Sequence, residues 1–545
     1  MRFHSNLVDI LNKRIYAAIV EVDDGVIKRI QEVEDAPENA GYLLPGFVDA
    51  HVHIESSMMP PTEFTRLAVV HGTVATVSDP HEIANVLGLE GVQFMLEEAK
   101  RVPLKFCFGA PSCVPATHFE TAGAHLDAEA VGKLLERKEI GYLSEMMNFP
   151  GVLMKDAEVK AKIEAAKKLG KPVDGHAPGL MGDDALQYFA AGISTDHECF
   201  TYEEGLEKAK LGVKILIREG SAARNYDALH PLIKLYPELI MFCSDDKHPD
   251  DLIEGHINLL VARSVKLGYD VFDVLRAACI HPVQHYGLAV GLLEEGDAAD
   301  FIRVDNLETF NVLETYIDGT CVAKNGESLI EHLPSETPNI FKVQEKKSQD
   351  FAIKVNSKKV RIIKALDGEI VTQAEVDELP IADGNYLPDL QKDILKIAVV
   401  NRYAENEKPS IGFVRGFGLK QGALASSVAH DSHNIVAVGT FDENLCAAVN
   451  EVIKNKGGVV AVNNTGTAKV LGLPIAGLMS PIDGYELAQQ YGKIDAWTKT
   501  ELGCILKAPF MLLSFLALPV IPALKITDLG LFDVGRFGFV EVGLE

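Results

Sequence analysis

The sequence predicts an α/β protein: a (β/α)₈ barrel of the TIM type, a small β-domain built from both of its flanks, and a further C-terminal α/β domain. Three observations predict it. Eight short apolar segments recur between residues 46 and 245, most of them ending in a polar or ionisable residue, and helical segments separate several of them. Stretches of similar β-rich texture lie on both sides of this block. A length of 545 residues also exceeds what one compact core usually holds.

The eight segments are GFVDAHVH (46–53), TVATVSD (73–79), LKFCFGA (104–110), GYLSE (141–145), KPVDGH (171–176), GISTDH (192–197), GVKILIRE (212–219) and LIMFCSD (239–245). Between the fourth and fifth, DAEVKAKIEAAKKLG predicts a helix, with Asp156 as N-cap and Gly170 as terminator. Thr201 to Glu204 predicts a capping box opening another. A doubly wound open sheet is the competing arrangement, and it lacks its Gly-rich dinucleotide fingerprint here. Residues 1–44 alternate short apolar runs with turns, Asp24-Gly25 among them, and the texture returns in 289–331. The expected division is thus 1–44 with 289–331 as the composite β-domain and 45–288 as the barrel. A polar linker over 332–350 and a C-terminal domain over 351–545 complete it.

The formal net charge of −26 repels phosphate backbones and anionic lipid. Nucleic acid and membrane are therefore not expected partners, and a small neutral or cationic substrate is. The 8 cysteines include no CxxC pair and read as reduced thiols of a cytoplasmic protein. MRFHSNLVDI lacks the apolar stretch of a secretory signal. The longest apolar run, Ala508 to Leu524, holds three prolines and is shorter than a membrane helix needs, so it reads as buried core.

Six potential metal ligands stand at the ends of these segments. His51 and His53 are two apart on the first strand, so both imidazoles point the same way. Glu145, His176, His197 and Asp245 end the fourth, fifth, sixth and eighth. The steps from Glu145 onward are 31, 21 and 48 residues, matching one, one and two βα units of about 30 residues each. All six would meet at one end of the barrel, where barrel active sites form. Four histidines and two carboxylates exceed the set for one catalytic ion and suit two bridged divalent ions. The mixed N/O set suits Mn²⁺, Fe²⁺ or Zn²⁺ without choosing among them.

At these residues the chain resembles the amidohydrolase superfamily: PGFVDAHVH, GHAPG, STDHE and FCSDD fall where that superfamily has its first-, fifth-, sixth- and eighth-strand motifs. More narrowly it resembles the bacterial adenine deaminase family, through HVHIESSMM, SDPHEIANV, REGSAARN, SDDKHPDDL, HDSHNI and GLPIAGLMSP. The likeness covers nearly the whole chain. Many superfamily members carry a carboxylated lysine on strand four, whereas this chain has Glu145, which sets it apart from the dihydroorotase and urease branches. His53-Ile54-Glu55 matches half of another deaminase signature, but P-C-x-x-C is absent.

The resemblance implies hydrolytic replacement of the C6 amino group of adenine in purine salvage, with two divalent ions, Mn²⁺ favoured. Asp245 is the candidate proton shuttle as well as a ligand. Candidate substrate contacts are Asp246, Asp79, His81, Glu82, Ser221, His430 and His433. Each has an ordinary alternative: turn chemistry for Asp79-Pro80, a solvated acid for Asp246, a surface loop for the histidines. Arg218 reads as a partner for a neighbouring carboxylate. A cyclic amidase, another heterocycle deaminase and a non-catalytic metal-binding scaffold remain as alternatives, and a homo-oligomer is compatible with the sequence.

Overall fold

A computed structural model describes residues 1–544. Eight parallel strands form its centre: β1 (Phe47–Val52), β2 (Thr73–Ser78), β3 (Lys105–Ala110), β4 (Ile140–Met146), β5 (Val173–Gly175), β6 (Thr195–Asp196), β7 (Lys214–Arg218) and β8 (Ile240–Cys243). The first five pair in sequence order as one sheet and the last three as another. The Ser194 N–H donates to Val173 O (2.9 Å) across the gap between the sheets. At the other end the Asp245 N–H donates to His51 O (2.9 Å) and the His53 N–H to Asp245 O (3.3 Å), bringing the chain after β8 alongside β1. Helices separate the strands, among them Pro61–Ala68, Ala128–Leu135, Ala157–Lys168, Gly182–Ala190 and Tyr202–Lys210.

Local chemistry explains these elements. Asp156 caps its helix by accepting from the N–H groups of Glu158 and Val159, and Gly170 ends it at φ +68°. Thr201 accepts from the Glu204 N–H, but the reciprocal half of the expected capping box is missing. Glu204 is drawn away to the Phe200 and Gly179 N–H groups and to the buried ammonium of Lys208. A charged hydrogen bond to a buried cation outcompetes the box. Gly46 lets β1 run against β2, since a Cβ there would lie 2.2 Å from Val74 Cγ1.

One eight-stranded sheet unites both flanks of this centre: strands between Arg2 and Pro45 pair with others between Phe301 and Ser328. The joint is Tyr42–Pro45, lying between Arg2–Asp9 and Phe301–Val304. Residues 329–347 carry no helix or strand, and they run beside the C-terminal block, where Lys342 N–H donates to Arg402 O (2.8 Å).

The C-terminal block is a second eight-stranded, mostly antiparallel sheet. Helix Asp442–Lys454 buries Leu445, Ala448, Val449 and Val452 on one of its faces. The apolar run after Ala508 forms helix Pro509–Phe515, wholly buried, and no helix among the described residues is long and apolar enough to cross a membrane. The block is stitched to the centre: Arg66 pairs with Asp483 (2.7 Å), Gly484 N–H donates to Glu63 (2.8 Å), and Tyr491 OH meets His248 Nδ1 (2.6 Å).

Candidate active site

The strand ends converge. His51 lies in β1 and His53 just beyond it, Glu145 in β4, His176 and His197 immediately after β5 and β6, and Asp245 two residues after β8. Asp245 takes a left-handed conformation (φ +55°), a region short polar side chains tolerate better than most. All six are buried. His53 Nε2 lies 3.2 Å from His51 Nε2, 3.4 Å from Glu145 Oε1 and 3.3 Å from Asp245 Oδ1. Glu145 Oε2 lies 2.7 Å from His176 Nδ1 and 3.0 Å from His197 Nε2. The His51 and His197 rings stack 4.1 Å apart.

This arrangement fits divalent cations. Ligand atoms bound at about 2.1 Å to one ion stand about 3.0–3.4 Å from each other, which is the spacing found here. Buried sets of ligand atoms close together include His51/His53/Asp245, His51/Glu145/His197, His176/His197/Glu198 and His53/Asp79/His81/Glu145. His51 Nδ1 and His176 Nε2 are buried with no hydrogen-bond partner among the described residues. Such orphans are costly unless something else satisfies them.

The electrostatics follow from burial and crowding. Burial and the neighbouring imidazoles of His197 and His53 hold His51 well below the usual histidine range. Burial acts to raise the Glu145 carboxyl, but His176 and His197 outweigh it and hold it well below the usual range. Burial acts likewise on Asp245, and Arg218 together with His53 overcomes it, keeping Asp245 ionised. The Arg218 guanidinium hydrogen-bonds both Asp245 and Glu198.

The loop after β2 supplies a second layer. Asp79 accepts from His81 Nδ1 (3.0 Å), and its backbone oxygen meets His53 Nδ1 (3.2 Å). Both carboxylate oxygens of Glu82 are taken by the C-terminal block, one by His430 Nδ1 and the other by His433 Nε2. These two histidines, read as a surface-loop alternative in the sequence, are buried. Asp246 lines the same cavity, accepts from Ser56 Oγ (2.5 Å) and is raised by burial against the opposing pull of His430.

Ser221 stands outside the residues that line the cavity. Its hydroxyl donates to Asp251 (2.5 Å) and accepts from the His248 N–H (2.8 Å), because the chain after β7 turns its side chain outward towards the loop after β8. Asp79, His51 and His433 likewise lie behind the lining side chains rather than on the cavity wall.

The remaining walls were not singled out in the sequence. Met147 comes from the loop after β4, and Ile370, Phe515, Leu518 and Ile521 from the C-terminal block; Phe515 stacks on His430 with centroids 4.5 Å apart. The space these side chains leave between them is about 20 Å³, room for about one water. Glu198 stands next to His197 in STDHE, so adjacency to a candidate ligand was an available signal. The apolar wall residues carry no such signal.

Residues 42–322 match the amidohydrolase family, and residues 369–538 match the adenine deaminase C-terminal domain. The chain belongs to the amidohydrolase family. It is 56% identical to an adenine deaminase of Salinibacter ruber, over 98% of this chain and 97% of that one. Identity is 54% to an adenine deaminase of a Sulfurovum species and 53% to one of Methanosarcina acetivorans, each over 99% of both chains. Within the family the chain falls among the adenine deaminases.

Proposed function

We propose that this protein hydrolyses adenine to hypoxanthine and ammonia, in purine salvage. The observation that carries the reading is the cluster of buried imidazoles and carboxylates at the strand ends, covered by a wall from a block of the adenine deaminase type. The eight parallel strands are read as a closed (β/α)₈ barrel. Residues 45–288 form it, 1–44 with 289–331 the composite β-domain, 332–350 the linker and 351–545 the C-terminal domain.

His51, His53, Glu145, His176, His197 and Asp245 would hold two divalent cations, Mn²⁺ favoured over Fe²⁺ or Zn²⁺. When bound, such a pair supplies Lewis acidity that makes water nucleophilic at neutral pH. Asp245, kept ionised by Arg218, accepts the proton of the attacking water and passes it to the substrate. Hydrolysis needs one proton delivered to the ring nitrogen beside C6 and one to the departing amine, so a carboxylate that takes and returns protons suffices. Glu198 holds the guanidinium against Asp245. Asp246 accepts a hydrogen bond from a purine N–H, while Glu82 and His81 line the approach.

The test, after Mn²⁺ loading, is a coupled ammonia assay across nucleobases and adenosine, with ring opening of hydantoins and dihydropyrimidines followed separately by chromatography. Release from adenine and little from adenosine is expected. Ring opening of a cyclic amide with no ammonia from adenine, or turnover of no heterocycle, would overturn the reading.

A further inference from the structure

Lys525 is a buried cation without a counter-ion. Its side chain is inaccessible to solvent, and among the described residues no carboxylate pairs with it. Burial alone pulls its amine down to about 7. A buried lysine with no acid partner is expensive, and only the bonds its amine makes offset that cost. Those bonds are two: Nζ donates to Ile370 O (2.7 Å) and to Phe515 O (3.0 Å).

Both acceptors belong to residues of the cavity wall. Phe515 ends helix Pro509–Phe515, where carbonyls lack intrahelical partners and the helix dipole favours a donor or cation. Ile370 lies on the separate segment before strand Gln373–Asp377. The same joint is reinforced nearby: Thr372 N–H donates to Pro522 O (2.9 Å), Thr372 Oγ1 to Leu524 O (2.8 Å), and Ile526 N–H to Leu516 O (3.0 Å). Above it, Ile370, Met511, Phe515, Leu518 and Ile521 form a small apolar cluster of their own with Ala222. The other face of the same helix is anchored in the main core through Phe510, Leu512, Leu513 and Leu516, so packing holds the helix while Lys525 ties its end to the separate segment at Ile370.

We propose that Lys525 is a positioning residue that pins Ile370 and Phe515 together as a roof over the substrate, and that this roof sets which purines fit. The inference rests on the reading of the site as an adenine deaminase. The roof lies over a space of about 20 Å³. A planar base enters only as the roof yields, and it then lies against the apolar faces of Phe515, Leu518 and Ile521. A neutral lysine amine still has two N–H donors, so both bonds persist on either side of its titration. A substituent on the ring lifts the roof further against this two-point tether.

The experiment compares wild-type protein with Lys525→Met, which keeps the length and removes the donors, and with Phe515→Ala, which trims the roof itself. Metal content, far-UV circular dichroism, and kcat and KM for adenine and 9-methyladenine are measured after Mn²⁺ loading. Expected for both variants are unchanged metal content, a KM for adenine raised about tenfold, kcat within about threefold, and weaker discrimination against 9-methyladenine. A folded Lys525→Met with wild-type KM and discrimination overturns the positioning role. If Lys525→Met does not fold, Phe515→Ala decides: wild-type KM and discrimination there overturn the roof. Wild-type protein that releases no ammonia from adenine condemns the proposed activity instead, and the two failures are thereby told apart.

Discussion

Asp49 Oδ2 lies 2.8 Å from His256 Nε2, and the same carboxylate accepts from the Ser244 N–H (2.9 Å), the Ser244 hydroxyl and the His51 N–H (3.3 Å). Asp49 is in β1 and Ser244 follows β8, so one buried acid ties together the two strand ends that carry His51 and Asp245. Partners behind metal ligands commonly contribute 10–100-fold to metal affinity. Asp49→Asn should weaken metal binding about tenfold without changing any ligand. Competition with a chromophoric chelator measures it, and unaltered affinity would remove Asp49 from this role.

Asp245→Asn should abolish turnover far more than it weakens substrate binding. Asparagine still offers an oxygen but carries no proton, and general-base loss costs about 10²–10⁴ in rate. Steady-state kinetics with parallel metal analysis give the answer; near-normal kcat with metal retained would refute the shuttle.

The double variant His430→Ala/His433→Ala strips buried Glu82 of both its hydrogen-bonded imidazoles and leaves only His81 nearby (3.6 Å), a change that costs up to about 3–5 kcal/mol. A lower melting temperature is expected, together with a more than tenfold loss of turnover at full metal content. A variant that melts lower but deaminates at the wild-type rate would confine the pair to stability.

Removing metal should destabilise the protein, because ligands that gather only in the folded state link binding to folding. Dialysis against a chelator is expected to abolish activity and lower the melting temperature, with Mn²⁺ restoring both and more than one equivalent bound. A fully active, metal-free protein would end the two-ion reading.

Lys525 gives a pH signature distinct from the active site. Its amine titrates near 10.5 when free and at about 7 when buried. Between those values the unfolded chain holds the extra proton, so this group makes stability rise with pH over that window and leaves it level below. The melting-temperature difference between wild type and Lys525→Met should therefore shift in the wild type's favour from pH 7 to pH 9.5. A pH-independent difference would mean the lysine does not change protonation on folding.

Much of the centre was legible in the sequence because its signals are local. Eight apolar segments, seven of them ending in an ionisable residue, marked the strands, and the steps from Glu145 to Asp245 marked their common end. Where the reading fell short, tertiary competition decided. Glu204 abandons its capping box for Lys208, and Ser221 turns to Asp251, choices fixed by partners 4 and 30 residues away. Ile370, Phe515, Leu518 and Ile521 look like any buried apolar residues. Only the path of the chain, which brings 370 beside 525, gives them a place over the site.

Glu82 belongs to the short helix after β2, yet both its oxygens are claimed by histidines 348 and 351 residues further along. Separating these regions would leave that anion at the lip of the cavity with His81 alone beside it and strip away the ceiling. The two halves are accordingly one unit of inheritance. A C-terminal block exchanged from a relative can serve these strand ends only if it brings its own matched imidazoles, so drift in either half is answerable to the other.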